Sequence, residues 1–78
     1  MWHVYILLCG NGDYYKGCTN DLDRRITQHQ SGQVESTKQL LPLKLVTYIS
    51  FTDKSKAYEF EKYLKTGSGR AFLKKHLV

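Results

Sequence analysis

Arg25, His29 and Glu61 are the side chains whose types and spacing first suggest chemistry. At about 100° per residue, Leu22, Ile26 and His29 form the apolar stripe of a helix over residues 22–30, and Arg25 flanks that stripe. Arg24 points to the opposite side. On a later helix Ala57, Phe60 and Leu64 make the stripe and Glu61 lies on its shoulder, while Glu59 and Lys62 face away. Each helix thus turns one charged group toward the layer it packs on, which charged groups rarely do without a partner. Two readings stand side by side. One is a structural Arg25–Glu61 ion pair. The other is a site that needs one cation and one metal-binding carboxylate. His29 reads either as a ligand-orienting group or as a packed neutral histidine, and Arg25 either as a phosphate holder or as a stem lying on the core with its head in water.

Charge placement adds a partner. Of twelve Lys and Arg residues and seven Asp and Glu residues, residues 1–61 hold seven of each sign. The whole +5 excess therefore falls on Lys62, Lys65, Arg70, Lys74 and Lys75. A basic end on a neutral body predicts an anionic partner, nucleic acid before acidic membrane. Arg70, Lys74 and Lys75 are the expected track for phosphates, with the alternative of a solvated helix face. Gly67-Ser68-Gly69, just before Arg70, reads as a helix stop and restart with Ser68 as cap, or as a phosphate-taking helix start. Cys9 and Cys18 have neither CxxC spacing nor grouped histidines, so they read as free thiols and not as a zinc site.

The elements that position these groups follow from the same 78 residues. The length fits one domain, 1–78, with one small core. Val4 to Leu8 is a strand, Gly10-Asn11-Gly12-Asp13 a turn, and Tyr14 to Thr19 the returning strand. Asn20-Asp21 caps the first helix, and 33–42 reads as a loop. Leu43 to Phe51 is a third strand, with Leu43, Leu45, Thr47 and Ile49 on one side. Thr52-Asp53 caps a second helix to about Thr66, and Arg70 to Leu77 is a third. The fold class is α/β (α+β), a small three-stranded, mainly antiparallel sheet flanked by three helices in the order β-β-α-β-α-α. The apolar run from Val4 to Cys9 is too short to span a membrane and has no signal-peptide features, so a cytoplasmic location is expected.

Val4-Tyr5 on the first strand and Tyr15-Lys16-Gly17 on the second resemble the paired motif of the GIY-YIG nucleases. The spacing continues through Leu22, Arg25 and His29, and Glu61 matches the glutamate on the helix after the third strand. The resemblance spans nearly the whole chain and is nearest to small single-domain members similar to the N-terminal domain of the UvrC repair nuclease. The sequence departs from the pattern at four motif positions. His3 replaces a glycine, Val4 and Lys16 replace isoleucines, and Cys18 stands where a lysine often follows.

The resemblance implies a metal-dependent endonuclease acting on DNA, duplex, branched or single-stranded, in repair or structure-directed cleavage. Tyr5, Tyr15, Arg25, His29 and Glu61 would be catalytic. Glu61 would hold one Mg2+ or Mn2+, since magnesium needs only one or two carboxylates beside water and phosphate oxygens, and the other acids sit in turns, caps or outward positions. Tyr5 would be the base with Tyr15 its partner; a phenol titrates near 10, and a neighbouring metal and the Arg25 guanidinium favour phenolate. Arg25 would hold the scissile phosphate. A protein partner, a homodimer or DNA structure would supply specificity. The alternative is a non-catalytic nucleic-acid-binding module of the same fold.

Shared use of Tyr5 and Tyr15 sets a condition on the hairpin. A two-residue Asn11-Gly12 turn would pair Leu8 with Tyr15 and send the two tyrosines to opposite faces. A loop of three or five residues, with Gly12 left-handed, brings them to one face. The odd register is the expected one, with Tyr5, Tyr15, Arg25 and Glu61 converging on one side of the sheet.

Overall fold

The computed structural model describes residues 1–78. Strand β1 (Trp2–Cys9) is central, between β2 (Tyr14–Thr19) and β3 (Leu43–Phe51), and both pairings are antiparallel. Helix α1 (Leu22–Gln30) joins β2 to β3, and α2 (Lys54–Leu64) and α3 (Gly67–His76) follow. The order is β-β-α-β-α-α, as the sequence predicts. No helix is long and apolar enough to cross a membrane.

The hairpin has the odd register. Leu8 pairs with Tyr14, Leu7 with Tyr15 and Tyr5 with Gly17. Cys9 N–H donates to the Asp13 carbonyl at 2.8 Å, enclosing the three-residue loop Gly10-Asn11-Gly12. Gly12 N–H closes a turn onto the Cys9 carbonyl at 2.9 Å, and Gly12 has φ +90°. That left-handed value is cheap for glycine and strained for other residues, so Gly12 permits the three-residue loop.

β1 is buried on both faces, so its sequence is a continuous apolar run with no alternation. Val4 and Ile6 join Ala57, Leu64 and Leu73 in one core cluster under α2 and α3. Tyr5, Leu7 and Cys9 join Ile26 and Leu43 in a second, under α1. The sheet is thus the middle of three layers.

β3 departs from the expected alternation. Its register with β1 slips between Ile6 and Leu7, where Thr47 and Leu45 are the partners and Val46 is extra. Directly paired residues share a face. Leu43 and Leu45 therefore lie with Cys9 and Leu7 on the α1 side, while Thr47 and Ile49 lie with Ile6 and Val4 on the other. A bulge exchanges the faces midway along the strand.

The helix ends differ from the sequence reading in detail. Asp21 and Asp53 cap α1 and α2 through their side chains, as expected. However, α2 ends at Leu64, and Gly67-Ser68-Gly69 forms the first turn of α3. Its cap is Thr66, whose hydroxyl accepts the Gly69 N–H at 3.1 Å, and not Ser68. The 33–42 segment carries a short 3-10 turn, Lys38–Leu40, and buries Val34 and Thr37.

Candidate active site

Tyr5 reaches the site because Gly17 lets it. Gly17 is its direct partner on the edge strand β2, and a Cβ built there would overlap Tyr5 Cζ and Oη. The phenol therefore crosses the Gly17 backbone toward the open edge of the sheet. Gly17→Ala is expected to cost about 1–3 kcal/mol by overpacking, against a much smaller cost in a Tyr5→Ala background. Equal losses of thermal stability in the two backgrounds would show that the tyrosine is not what meets the new methyl group.

Helix α1 supplies the next two groups in the phase the wheel predicts. His29 is fully buried, Arg25 is half-buried and Arg24 is exposed. Tyr5 Oη lies 2.9 Å from His29 Nε2, and His29 Nδ1 lies 2.8 Å from Thr37 Oγ1. The Thr37 hydroxyl can donate onward to the Val34 carbonyl at 3.5 Å. In that polarity Nδ1 carries the imidazole proton, Nε2 accepts, and Tyr5 donates. Thr37 is thus a positioning residue that no motif marks, since it lies in the segment read as loop.

Tyr15 shares this face. Its ring centroid is 5.2 Å from that of His29, edge-on, and 6.5 Å from that of Tyr5. Its hydroxyl has no protein hydrogen-bond partner, so the partner Tyr5 finds is His29 and not Tyr15. Arg25 makes one side-chain hydrogen bond, Nη1 to Gln28 Oε1 at 3.3 Å. It opens on a polar hollow of about 300 Å³ lined by Thr19, Asn20 and Gln28 among others.

The electrostatics correct one expectation. Burial pushes the Tyr5 phenol above its ordinary value; the nearby Arg25 opposes this, while Tyr15 and Glu61 add to it. Tyr5 is therefore a neutral hydrogen-bond donor here. Burial, reinforced by Arg25, brings His29 down to about 4. Because the folded value lies below the unfolded one near 6.5, the unfolded chain binds more protons between these limits. Stability from neutral His29 is complete above about pH 6.5 and lost as pH falls to 4, by on the order of 3 kcal/mol. Urea unfolding across that range should show a steeper acid loss for the native chain than for His29→Gln. Parallel curves would contradict a buried neutral imidazole.

Glu61 arrives from the other side. It sits on α2, whose Ala57 and Leu64 pack on the Val4 and Ile6 face. The expected convergence on one side of the sheet is therefore replaced by two groups. Tyr5, Tyr15, Arg25 and His29 lie on the α1 face, and Glu61 is held by the opposite layer. They communicate at the β2 edge, where the Glu61 charge raises both Tyr5 and, after burial, Cys18. The Arg25–Glu61 ion pair does not form; Glu61 Oε2 instead pairs with Lys65 Nζ at 3.3 Å, with the Glu61 side chain 15% exposed.

No group of three or more His, Cys, Asp or Glu side chains is placed to hold a metal ion. Glu61 offers a single, mostly buried carboxylate, a donor set that suits a hydrated divalent ion taking its remaining ligands from water and phosphate. Both cysteines are free thiols, Cys9 buried and Cys18 half-buried. Arg70 and Lys74 lie on α3 at one groove, whose lining does not include Lys75.

Comparison with known proteins gives these positions a context. The model of the GIY-YIG catalytic domain matches residues 1–75. A UPF0213 protein of Xanthomonas campestris is 42% identical over 65 residues, covering 82% of this chain and 64% of that one. The chain thus spans a little under two thirds of the length of this relative. A UPF0213 protein of Halalkalibacterium halodurans is 41% identical over 69 residues, covering 87% and 73%. The solution NMR structure of that same halodurans protein, under the organism name Bacillus halodurans, superposes with a TM-score of 0.61 at 35% identity, over 96% of this chain and 84% of that one.

Proposed function

Because the chain belongs to the GIY-YIG catalytic-domain family, we propose that it is a metal-dependent endonuclease that hydrolyses phosphodiester bonds in DNA. One observation carries this reading: the Tyr5–His29–Thr37 hydrogen-bond chain, with Arg25 beside Tyr5, lies close enough to the Glu61 carboxylate for its charge to act on Tyr5, although the two come from opposite layers. A fold kept only for binding has no need of a carboxylate there, since it repels phosphate.

Hydrolysis forms a bond between a water oxygen and phosphorus and breaks the bond to the leaving oxygen. Neutral His29 accepts the Tyr5 O–H hydrogen bond at Nε2. As the Tyr5 oxygen takes a proton from the attacking water, it releases its own to His29. The negative charge of a phosphate held by Arg25 offsets the cost of the resulting imidazolium near that guanidinium. Arg25 holds the phosphate oxygens through charge-assisted bonds, and the open Tyr15 hydroxyl orients the water. The leaving oxygen takes its proton from solvent. Glu61 would hold one Mg2+ or Mn2+, and such an ion supplies charge stabilisation at the phosphoryl oxygens.

The substrate is proposed to be DNA selected by its structure, such as a flap or branch, or by a protein partner or a second copy. Incubation with single-stranded, duplex and branched DNA in Mg2+, Mn2+ or EDTA tests the reading. Cleavage of at least one substrate that stops in EDTA is expected. Binding without cleavage under every condition would favour the non-catalytic module.

A further inference from the structure

Lys16 replaces an apolar residue of the second motif, and its surroundings explain neither its charge nor its place. It is paired with Ile6, a fully buried core residue, so it stands on the α2 and α3 face of β2. There it lines a groove of about 630 Å³ between the β1–β2 turn and α3, together with Asp13, Tyr14, Arg70 and Lys74. Lys16, Arg70 and Lys74 bring three cations to this groove, and none of them is in an ion pair; the chain's three salt bridges use Lys38, Lys56 and Lys65. The one acid of the lining, Asp13, is held by Asn11 Nδ2 at 3.1 Å. Burial lowers the Lys16 pKa, the Arg70 and Lys65 charges lower it further, and Asp13 opposes them only in part. Lys16 in its charged form therefore works against the fold, and an anion in the groove would reverse that effect.

We propose that this groove binds a backbone phosphate of the nucleic-acid strand, with Lys16, Arg70 and Lys74 as its three cations and Lys75 outside it. The identity of the anion rests on the nuclease reading; the groove does not. Its position fits that substrate. Cys18, which feels the Glu61 charge, lies two residues from Lys16 on the same face of β2, about 7 Å along the strand. A strand seated in the groove therefore runs along the β2 edge and passes Glu61. The departure at Lys16 becomes a substrate contact, placed on the face opposite the two motif tyrosines.

The test measures binding in EDTA, where cleavage plays no part. A fluorescein-labelled single-stranded oligonucleotide is titrated with the native chain, Lys16→Met, Arg70→Gln and Lys75→Gln over a range of salt concentrations. Lys16→Met and Arg70→Gln should each reduce the slope of log K against log salt by about 0.7, the value for one lost phosphate contact on a single strand. Lys75→Gln should leave the slope unchanged. Without DNA, Lys16→Met should melt at a higher temperature than the native chain, because a desolvated and repelled cation has gone. That melt also reports whether the variant folds. An unchanged slope for Lys16→Met, or an equal drop for Lys75→Gln, would overturn the proposal. Polyglutamate competing as well as DNA at equal charge would overturn the nucleic-acid assignment. A reduced slope with no cleavage of any DNA would keep the groove and remove the nuclease reading, and cleavage with an unchanged slope would do the reverse.

Discussion

Glu61→Gln should lose metal-dependent cleavage by roughly 10³-fold or more while the protein stays folded and keeps its hold on DNA. The size follows from what the carboxylate would contribute. A divalent ion offsets several kcal/mol of charge developing at phosphoryl oxygens, and each 1.36 kcal/mol is tenfold in rate. No group of three or more His, Cys, Asp or Glu side chains is placed to hold an ion, so no ligand cluster takes over once Glu61 is neutral. Stability should change by less than about 0.5 kcal/mol, because the only ion pair lost is with Lys65, an i,i+4 partner that is itself 56% exposed. Affinity for DNA in EDTA should be equal or slightly higher, since a negative charge leaves the phosphate path. Single-turnover cleavage, a thermal melt and the EDTA titration separate the three effects. Undiminished cleavage by purified, folded Glu61→Gln would remove Glu61 from the mechanism.

The two-sided arrangement of the site explains what was legible in the sequence. Helix phase was, because it depends on spacing along a single element: Leu22, Ile26 and His29 turn inward together with Arg25 at their flank, and Arg24 turns out. The hairpin register was legible only through the family resemblance: Asn11-Gly12 by itself signals a two-residue turn, whereas a site shared by Tyr5 and Tyr15 requires the odd loop that forms. The layer holding Glu61 was not, because no periodicity says which face of a sheet a helix covers. One signal was nevertheless present. Val4 through Leu7 are all buried, and a strand buried on both faces is a continuous apolar run; helices on both sides follow. Since β2 and β3 both run antiparallel to β1, they are parallel to each other. The α1 connection must cross β1 on one face and leaves the other face to α2 and α3. The β3 bulge at Val46 and the role of Thr37 left no comparable trace. A single extra residue keeps the alternation in the sequence while exchanging faces in space, and Thr37 acquires its function only because the 33–42 segment folds back over His29.

Arg25→Ala should reduce cleavage by about 10³-fold, within the span that charge-stabilising arginines contribute to phosphoryl transfer, while Arg24→Ala should leave it within a few-fold of native. Both residues are arginines on the same helix, so net charge changes equally and nonspecific attraction to DNA falls equally. What separates them is direction: Arg24 is exposed, while Arg25 is half-buried with its guanidinium near Tyr5. Arg25→Lys should recover only part of the activity, because an ammonium lacks the planar fork that grips two phosphate oxygens at once. A second readout needs no substrate. Arg25 is one of the two influences that hold the His29 pKa down, so NMR titration of the imidazole should move upward from about 4 in Arg25→Ala and stay in place in Arg24→Ala. A shift of the histidine without a loss of cleavage would make Arg25 an electrostatic neighbour with no part in catalysis. Equal loss of cleavage in both variants would mean that the basic surface of α1 as a whole serves the reaction and that the inward turn of Arg25 does not.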